Sequence, residues 1–252
     1  MLRGLYSSAA GLKVLQRKQD VLANNVANAN TPGFKRDQIV LRSFPEQVVL
    51  SREAGKGTGA KVVGPISLGV QIHAVNTVFE QGVLTETGRP TDLALGGGRE
   101  FFVISTPEGE RYTRNGSFTL DGEGYLVTKA GDYLLGDAGR IRLQGDDFSV
   151  DPAGRVSQAQ EFIDQLRVIR INEPAQLIKK GHHLYQAVNE EAVEDVREPK
   201  LRQGVLELSN VSLTSEMVKM IAGIRAYEIN ARVLRVQDEL LGKAANEIGA
   251  IR

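Results

Sequence analysis

Both ends of this sequence place apolar residues at the spacing of one helix face, and no other feature restricts the fold as strongly. Near the amino terminus the apolar positions step by three and four, at Leu5, Ala9, Leu12, Leu15, Leu22 and Val26. Near the carboxyl terminus a seven-residue repeat runs through Met220, Tyr227, Leu234, Leu241 and Ile248, and it is widened by Met217, Ile221, Ile224 and Ala231. The pattern predicts helices at about 3–29 and about 213–247.

A group of polar and turn-forming residues ends the first predicted helix. Proline at position 32 disfavours the helical backbone at the residue before it, and Gly33 adopts turn conformations freely. Asparagine and threonine side chains in the same run hydrogen-bond to local backbone groups. The run at 24–34 is therefore interpreted as a stop that fixes where the chain leaves the helix, and an ordinary helix end is the alternative.

The middle of the chain has the character of β-structure. Turn pairs such as Asn115-Gly116 and Asp121-Gly122 separate short runs rich in β-branched and aromatic residues. The predicted strands are 101–105, 111–113, 117–120, 125–128, 141–143 and 162–171, spaced as antiparallel hairpins. The fold class is therefore α+β, with a central antiparallel β domain flanked by long terminal helices.

Four segments follow from these patterns. We expect residues 1–35 to form the first helix and its stop, 36–80 an extended glycine-rich connection, 81–203 the β domain, and 204–252 the last helix. The β domain is expected to close without the two apolar stripes. Each stripe then needs a partner, which is either the other helix or another copy of the chain.

Composition argues against most kinds of chemical site. The 252 residues include 31 basic and 31 acidic side chains, so no net field attracts nucleic acid. Cysteine is absent and only three histidines are present, two of them adjacent at His182 and His183 and poorly placed to share a metal. The run at 55–61 lacks the phosphate-loop spacing, and no Gly-x-Ser-x-Gly elbow occurs. We expect no enzyme activity, no cofactor, no metal and no membrane span.

Three stretches resemble the flagellar axial family of rod and hook proteins. At residues 23–35 the sequence reads ANNVANANTPGFK, which is similar to the family's amino-terminal motif. Residues 207–212 read ELSNVS and residues 225–230 read RAYEIN, which are similar to its carboxyl-terminal motif, although Ile224 stands where many relatives have glutamine. Residues 111–118, RYTRNGSF, look like its central β domain. The resemblance covers both ends and part of the middle.

The resemblance implies a subunit of the flagellar basal-body rod. Such a subunit is exported by the flagellar type III apparatus without a cleaved signal peptide, lies outside the cytoplasm in the basal body, and contacts copies of itself and other rod and hook proteins. Its terminal helices pair, coiled-coil-like, in an inner-tube domain. We hypothesise that Gly33→Val misdirects the exit from the first helix and blocks assembly while sparing the β domain.

The residues expected to make assembly contacts combine the apolar stripes with the two motifs. Those near the amino terminus are Leu5, Leu12, Leu15, Leu22, Asn24, Asn25, Val26, Asn28, Thr31, Gly33 and Phe34. Those near the carboxyl terminus are Ser209, Asn210, Val211, Met217, Met220, Ile221, Ile224, Tyr227, Ala231, Leu234, Leu241 and Ile248.

Within the family, the chain length and the presence of a β domain favour a distal rod protein. The run at 227–230 also looks like the distal type, whereas residues 44–46 and 243–249 look like paired rod proteins of Gram-positive flagella. A proximal rod or hook-type protein is the first alternative. Two remote alternatives belong to other classes: a rod-linked cell-wall hydrolase, which needs a catalytic acid or nucleophile, and a monomeric carbohydrate-binding module, which leaves the terminal stripes without a purpose.

Overall fold

The structure is a computed structural model, and it describes residues 2–51, 61–172, 177–181, 183–189 and 193–249. Among these residues it has two long helices, α1 (Leu2–Ala27) and α2 (Leu213–Gly249). Both predicted helices are therefore present, and their ends lie within about two residues of the expected positions. The glycine-rich run at 52–60, His182 and residues 190–192 lie outside the described part of the chain.

All strands lie between the two helices. In chain order they are β1 (Asp37–Ser43), β2 (Gln47–Ser51), β3 (Lys61–Ile66), β4 (Val70–Thr77), β5 (Leu84–Glu86), β6 (Leu93–Leu95), β7 (Glu100–Thr106), β8 (Gly109–Thr113), β9 (Thr119–Leu120), β10 (Leu126–Val127), β11 (Tyr133–Gly136), β12 (Gly139–Arg140), β13 (Ser149–Val150), β14 (Arg155–Gln158), β15 (Glu161–Gln165), β16 (Val168–Ile171), β17 (Leu177–Lys179), β18 (Leu184–Ala187), β19 (Val193–Asp195), β20 (Leu201–Gln203) and β21 (Val205–Glu207).

The chain divides into two compact units. The helical unit comprises Met1–Val26, Asp37–Asn76 and Leu213–Arg252, and the β unit comprises Ala27–Arg36 and Thr77–Ser212. This division differs from the predicted segments in three respects, the first being that residues 37–76, predicted as a connection, belong to the helical unit. The stop at 27–36 belongs to the β unit, because its backbone and side chains are hydrogen-bonded there. So do residues 204–212, which include β21.

The helical unit contains both helices and four strands. Strand β1 pairs with β4, and β2 pairs antiparallel with β3, with Gln47 opposite Ile66. The predicted connection at 36–80 is thus largely strand where it is described. Valines on β2 and β3 favour strand, whereas the glycines between them led to the prediction of an extended connection.

The β unit is built around β7. This strand pairs with β8, β11 and β16, and further strands extend the sheet to ten among the described residues. Alternate side chains of β7 enter different clusters: Phe102 and Ile104 pack in one, while Phe101 and Val103 pack in the other. Because both faces of β7 are buried, its sequence is a continuous apolar run rather than an alternating one.

Three predicted strands differ from the observed ones. Residues 117–120 shorten to β9, because the side chain of Asn115 accepts the N–H of Ser117 and makes a turn there. Residues 162–171 divide into β15 and β16, which belong to different sheets. The predicted strand at 141–143 is wrong: these residues join the neighbouring segment through a bridge at Arg142, while β12 ends just before them.

No helix among the described residues has the length and apolar character that crossing a bilayer requires.

Candidate assembly site

Asn25 is the most completely bonded polar residue of the helical unit. It is 1% exposed, and its amide exchanges two hydrogen bonds with the backbone of Asp37, each 2.9 Å long. The same amide nitrogen donates to a carboxylate oxygen of Glu216 at 3.1 Å. The second carboxylate oxygen of Glu216 accepts from Lys219 at 2.6 Å. The end of α1, the start of β1 and the first turn of α2 therefore meet at one amide.

The two helices approach each other at four levels that we call the helix seam. As the residue number rises along α1 it falls by nearly the same amount along α2, so the helices run antiparallel. Every level brings a polar side chain against a glycine or against another polar group. The opposed residues are Gly4 with Gln237, Gly11 with Asn230, Gln19 with Gly223, and Asn25 with Glu216.

The face of α2 opposite Met220 holds a second row of apolar residues, which we call the outer stripe. Successive residues of a helix are turned by about 100°, which places these side chains within roughly 40° of the opposite direction. All five are exposed, with Ile229 and Val218 the most exposed at 62% each. The outer stripe comprises Val218, Ile229, Val233, Val236 and Leu240.

The stop at the end of α1 turns tightly against the β unit. Gly33 has a φ of 68°, and its N–H donates to the backbone oxygen of Glu207 at 2.8 Å. A Cβ at this position would overlap the backbone of Arg114 and Asn115. The residue is therefore restricted to glycine both by its left-handed backbone and by the lack of space.

Phe34 is buried beside the turn. Its ring meets the ring of His183 edge to face at 5.6 Å between centroids, and the ammonium of Lys179 lies 4.7 Å from its centre. Lys179 also donates to the backbone oxygen of Lys35 at 2.8 Å. These contacts hold the turn in the β unit with an apolar ring and a cation over its face.

Asn210 joins the carboxyl-terminal motif to the same region. Its side-chain oxygen accepts the N–H of Arg36 at 2.8 Å, and its amide nitrogen donates to the backbone oxygens of Val78 and Glu80 at 2.8 and 3.1 Å. The role parallels that of Asn25 in the helical unit. In both motifs an asparagine side chain bonds the backbone where the chain passes residues 36 and 37.

Below the turn lies a cluster of buried charges, which we call the buried ion centre: Lys35, Arg114 and Glu207. Both cations bind the carboxylate of Glu207, Lys35 at 2.5 Å, and the N–H of Gly82 adds a further hydrogen bond at 2.8 Å. The three side chains are 0–2% exposed. Lys35 belongs to the stop, Arg114 directly follows β8, and Glu207 belongs to the carboxyl-terminal motif. The centre therefore joins segments that are far apart in sequence.

The centre holds two cations and one anion, and backbone oxygens compensate for the imbalance. Arg114 donates to the oxygens of Gly97 and Glu100 at 2.5 and 2.6 Å, and Lys35 donates to that of Glu80 at 2.7 Å. Burial lowers the pKa of Lys35 below its ordinary 10.5; the charge of Arg114 also lowers it, while Glu207 and Glu80 oppose the shift.

A cleft of about 450 Å³ borders the stop in the β unit. Its lining includes Asn30, Thr31, Lys129 and Asp132. Among the described residues that line it, Asp132 is the one carboxylate, where glycoside hydrolases place two. Elsewhere in the described part of the chain, no group of three or more His, Asp or Glu side chains could hold a metal ion. The lining of this cleft therefore gives the hydrolase alternative no support.

Comparison with known proteins agrees with this arrangement of motifs. Three family models match: "Flagella basal body rod protein" at residues 5–35, "Flagellar hook protein FlgE/F/G D1 domain" at 97–158, and "Flagellar basal body rod FlgEFG protein C-terminal" at 202–247. The hook-basal body complex protein FlhO of Bacillus subtilis is 33% identical over the full length of both chains. The chain belongs to the flagellar basal-body rod protein family.

Relatives with different names match this family member about equally well. Rod protein FlgF of Caulobacter vibrioides is 35% identical over the whole of both chains. Rod protein FlgG of Bacillus subtilis is 34% identical, over 98% of this chain and 99% of its own.

The predicted contact residues of this rod-family chain fall into three groups by burial. Leu22, Asn25, Gly33 and Phe34 are buried. Partly buried are Leu5, Leu12, Leu15, Val26, Asn28, Thr31, Ser209, Asn210, Val211, Met220, Ala231, Leu234 and Leu241. Exposed are Asn24, Met217, Ile221, Ile224 and Tyr227, and the side chain of Ile248 lies outside the described part of the structure.

Sequence reasoning missed the buried charged residues of both units. Lys35, Arg114 and Glu207 stood inside motifs that were quoted for their resemblance, and Glu216 lies in the first turn of α2, where an acidic residue is common without being buried. It also missed Val14, which is buried in α1. A charged residue in a motif gives no sign of burial, because charged side chains are almost always exposed unless they are paired.

Proposed function

We propose that this chain is a structural subunit of the bacterial flagellar basal-body rod, which polymerises through its paired terminal helices into the shaft that transmits torque from motor to hook. The family supports the rod assignment. The polymerising surface rests on one observation: the outer stripe of α2 is apolar and exposed although α2 already meets α1 through the helix seam.

The size of the outer stripe favours a protein partner. Isolated exposed hydrophobic residues are normal on monomers, but a row that continues along one helix face marks an interaction site. From Val218 to Leu240 the row extends about 33 Å at 1.5 Å per residue. If every subunit contact buries five such side chains, each contact contributes a modest free energy of association, and these contributions repeat along the shaft. We propose a coiled-coil-like arrangement for the helix pair and its neighbours.

The test introduces charge into the outer stripe with Ile229→Asp and Val236→Asp together. Because both side chains are exposed in the single chain, we expect the purified variant to keep the unfolding free energy of the parent. A strain lacking the gene and complemented with the variant is expected to have truncated rods, no hooks and no motility in electron micrographs and swimming assays.

The matched control is Val188→Asp, which changes a valine of similar exposure, 66%, in the β unit. It is expected to restore hooks. Complete rods and hooks with the double variant would reject polymerisation through this face. The length at which rods stop in the deletion strain separates the distal position that we propose from the proximal alternative.

Export by the flagellar type III apparatus without a cleaved signal peptide is part of the same proposal. It predicts that intact chain, with its first residues retained, is recovered from purified basal bodies. Mass spectrometry of the amino-terminal peptide tests this point.

A further inference from the structure

We propose that the buried contact between Asn25 and Glu216 fixes the register in which α1 and α2 pair. This inference rests on the proposed function, in which the helix pair is the unit that polymerises. Register matters there because a shift of one helix along the other would displace the outer stripe from its place in the subunit. The two residues act as positioning residues.

The apolar residues of α2 cannot set the register by themselves. Met220, Tyr227, Leu234 and Leu241 recur every seven residues, so a slip by seven, about 10.5 Å, places each where its neighbour stood. An apolar repeat of this kind is satisfied equally well in either position. A contact between residues that do not recur every seven positions must therefore select one register.

The two levels at Gly4 and Gly11 do not supply this selection. Gly4 and Gly11 are seven apart on α1, and Asn230 and Gln237 are seven apart on α2, so a slip returns a glycine to an amide side chain. Moreover, the side-chain oxygen of Gln237 is buried without a hydrogen-bond donor among the described residues. These levels allow close approach without specifying a partner.

The level of Asn25 and Glu216 does not repeat. A slip in one direction carries Glu216 towards Lys18 and leaves Asn25 facing position 209, which precedes α2. A slip in the other direction brings Asn25 to Gly223 and carries Glu216 past the end of α1. Either way the hydrogen bond between Asn25 and Glu216 is lost, and removing the partner of a buried polar group is costly.

The contact is also well anchored. Two hydrogen bonds to the backbone of Asp37 hold the Asn25 amide, and Lys219 holds the other oxygen of Glu216, so neither side chain can easily follow a displaced partner. A buried polar residue that fixes the register of paired helices, at some cost in stability, is the best-attested role of such groups.

The absence of cysteine makes the register directly measurable in the full-length chain. Gly11→Cys is combined with Asn230→Cys to report the observed register, or with Gly223→Cys or Gln237→Cys to report a slip in each direction. A Cβ on Gly11 would lie 3.9 Å from the side-chain oxygen of Asn230, which is ordinary contact. Dilute protein is treated with a short thiol cross-linker, and only the product that migrates as a single chain is counted.

In the parent background we expect the 11/230 pair to dominate. Adding Glu216→Ala or Asn25→Ala is expected to lower the ratio of in-register to slipped product about tenfold, which corresponds to about 1.4 kcal/mol of register preference. Glu216→Gln, which retains an acceptor for the Asn25 amide, is expected to keep the parent ratio. Lys219→Met, which removes the anchor of Glu216 but keeps the hydrogen bond to Asn25, is expected to lower the ratio less than Glu216→Ala does.

Simple loss of helix would lower all three products together and would reduce the helical circular dichroism signal, whereas a change of register exchanges one product for another. A slipped pair that dominates in the parent, or an unchanged ratio in Glu216→Ala, would overturn the proposal. Because this ratio is measured on single chains, its failure is separate from a failure of the rod assignment, which the complementation test decides.

Discussion

The two units of this chain differ in how they place apolar side chains, although both bury charged ones. In the β unit, β7 buries Phe102, Val103 and Ile104 completely, and the charges of the buried ion centre lie deep in the same unit. In the helical unit, α2 buries Glu216 and exposes Ile229 at 62%. The difference indicates that the strand core of the β unit is closed by its own residues, whereas α2 leaves a row of apolar side chains along one helix face exposed.

The comparison also shows how the motifs contribute to both units. Asn25 bonds the backbone of Asp37 in the helical unit, and Asn210 bonds the backbone of Arg36 in the β unit. The motifs at the two chain ends are therefore structural parts of each unit as well as candidates for assembly contacts. Variants that break one unit and spare the other test this distinction.

The largest effect is expected from Glu207→Ala in the β unit. Removal of the carboxylate leaves Lys35 and Arg114 as two buried cations that face each other without an anion. Breaking a buried ion pair from one side typically costs about 3–5 kcal/mol, because the remaining charge is uncompensated. Urea unfolding of the full-length chain, followed by hydrogen exchange in the β unit, measures the loss.

The control for this prediction is Glu198→Ala, which removes an exposed carboxylate from the same unit and is expected to change the unfolding free energy by less than about 0.5 kcal/mol. If Glu207→Ala were as stable as this control, the buried ion centre would not contribute to the stability of the β unit.

An intermediate effect is expected from Gly33→Val, and it changes the hypothesis drawn from the sequence. According to that hypothesis the variant leaves the β domain intact. Gly33, however, lies within the β unit and against its backbone. Valine there adds steric overlap to backbone strain. We expect it to destabilise the β unit as well as to block assembly.

Gly88→Val is the matched control, because Gly88 has a φ of 71° but no atom within 4 Å of a Cβ. Both variants incur a similar left-handed strain, so their difference isolates the overlap, which we expect to cost about 1–3 kcal/mol. Equal unfolding free energies of the two variants would show that the backbone at Arg114 moves freely aside.

The parts of the fold that followed from local patterns were predictable. The three- and four-residue spacing of the end segments predicted α1 and α2, and the apolar run at 101–105 lies within β7. These features depend on residues close in sequence. The turn at Gly33 was also recognisable, because proline and glycine restrict the backbone wherever they occur.

The parts that depend on distant residues were not predictable. The buried ion centre joins positions 35, 114 and 207, and no spacing rule connects them. The periodicity of α2 predicted an apolar face but did not show which apolar side chains would be covered. Met220 and Leu234 are partly buried, whereas the outer stripe lies on the opposite face and is exposed. Which apolar face meets α1 is decided by tertiary contacts.

The smallest effect concerns the pH dependence of the β unit. Burial, helped by the charge of Arg114, lowers the pKa of Lys35 in the folded chain below its ordinary value of 10.5. The folded chain therefore releases this proton at a lower pH than the unfolded chain does. Between the lowered pKa and 10.5 the unfolded state binds more protons, and the contribution of Lys35 to stability rises with pH.

We test this with Lys35→Met, which removes the titrating group, by comparing the unfolding free energy of parent and variant from neutral pH to pH 10. The unfolding free energy of the parent is expected to increase relative to that of the variant as the pH rises. In contrast, Lys129→Met, at an exposed lysine, is expected to follow the parent at every pH. If the unfolding free energy of the parent instead falls relative to that of Lys35→Met as the pH rises, the attraction of Lys35 to Glu207 outweighs the effect of burial on its pKa. The ammonium would then stabilise the β unit as a charged group instead of destabilising it through its burial.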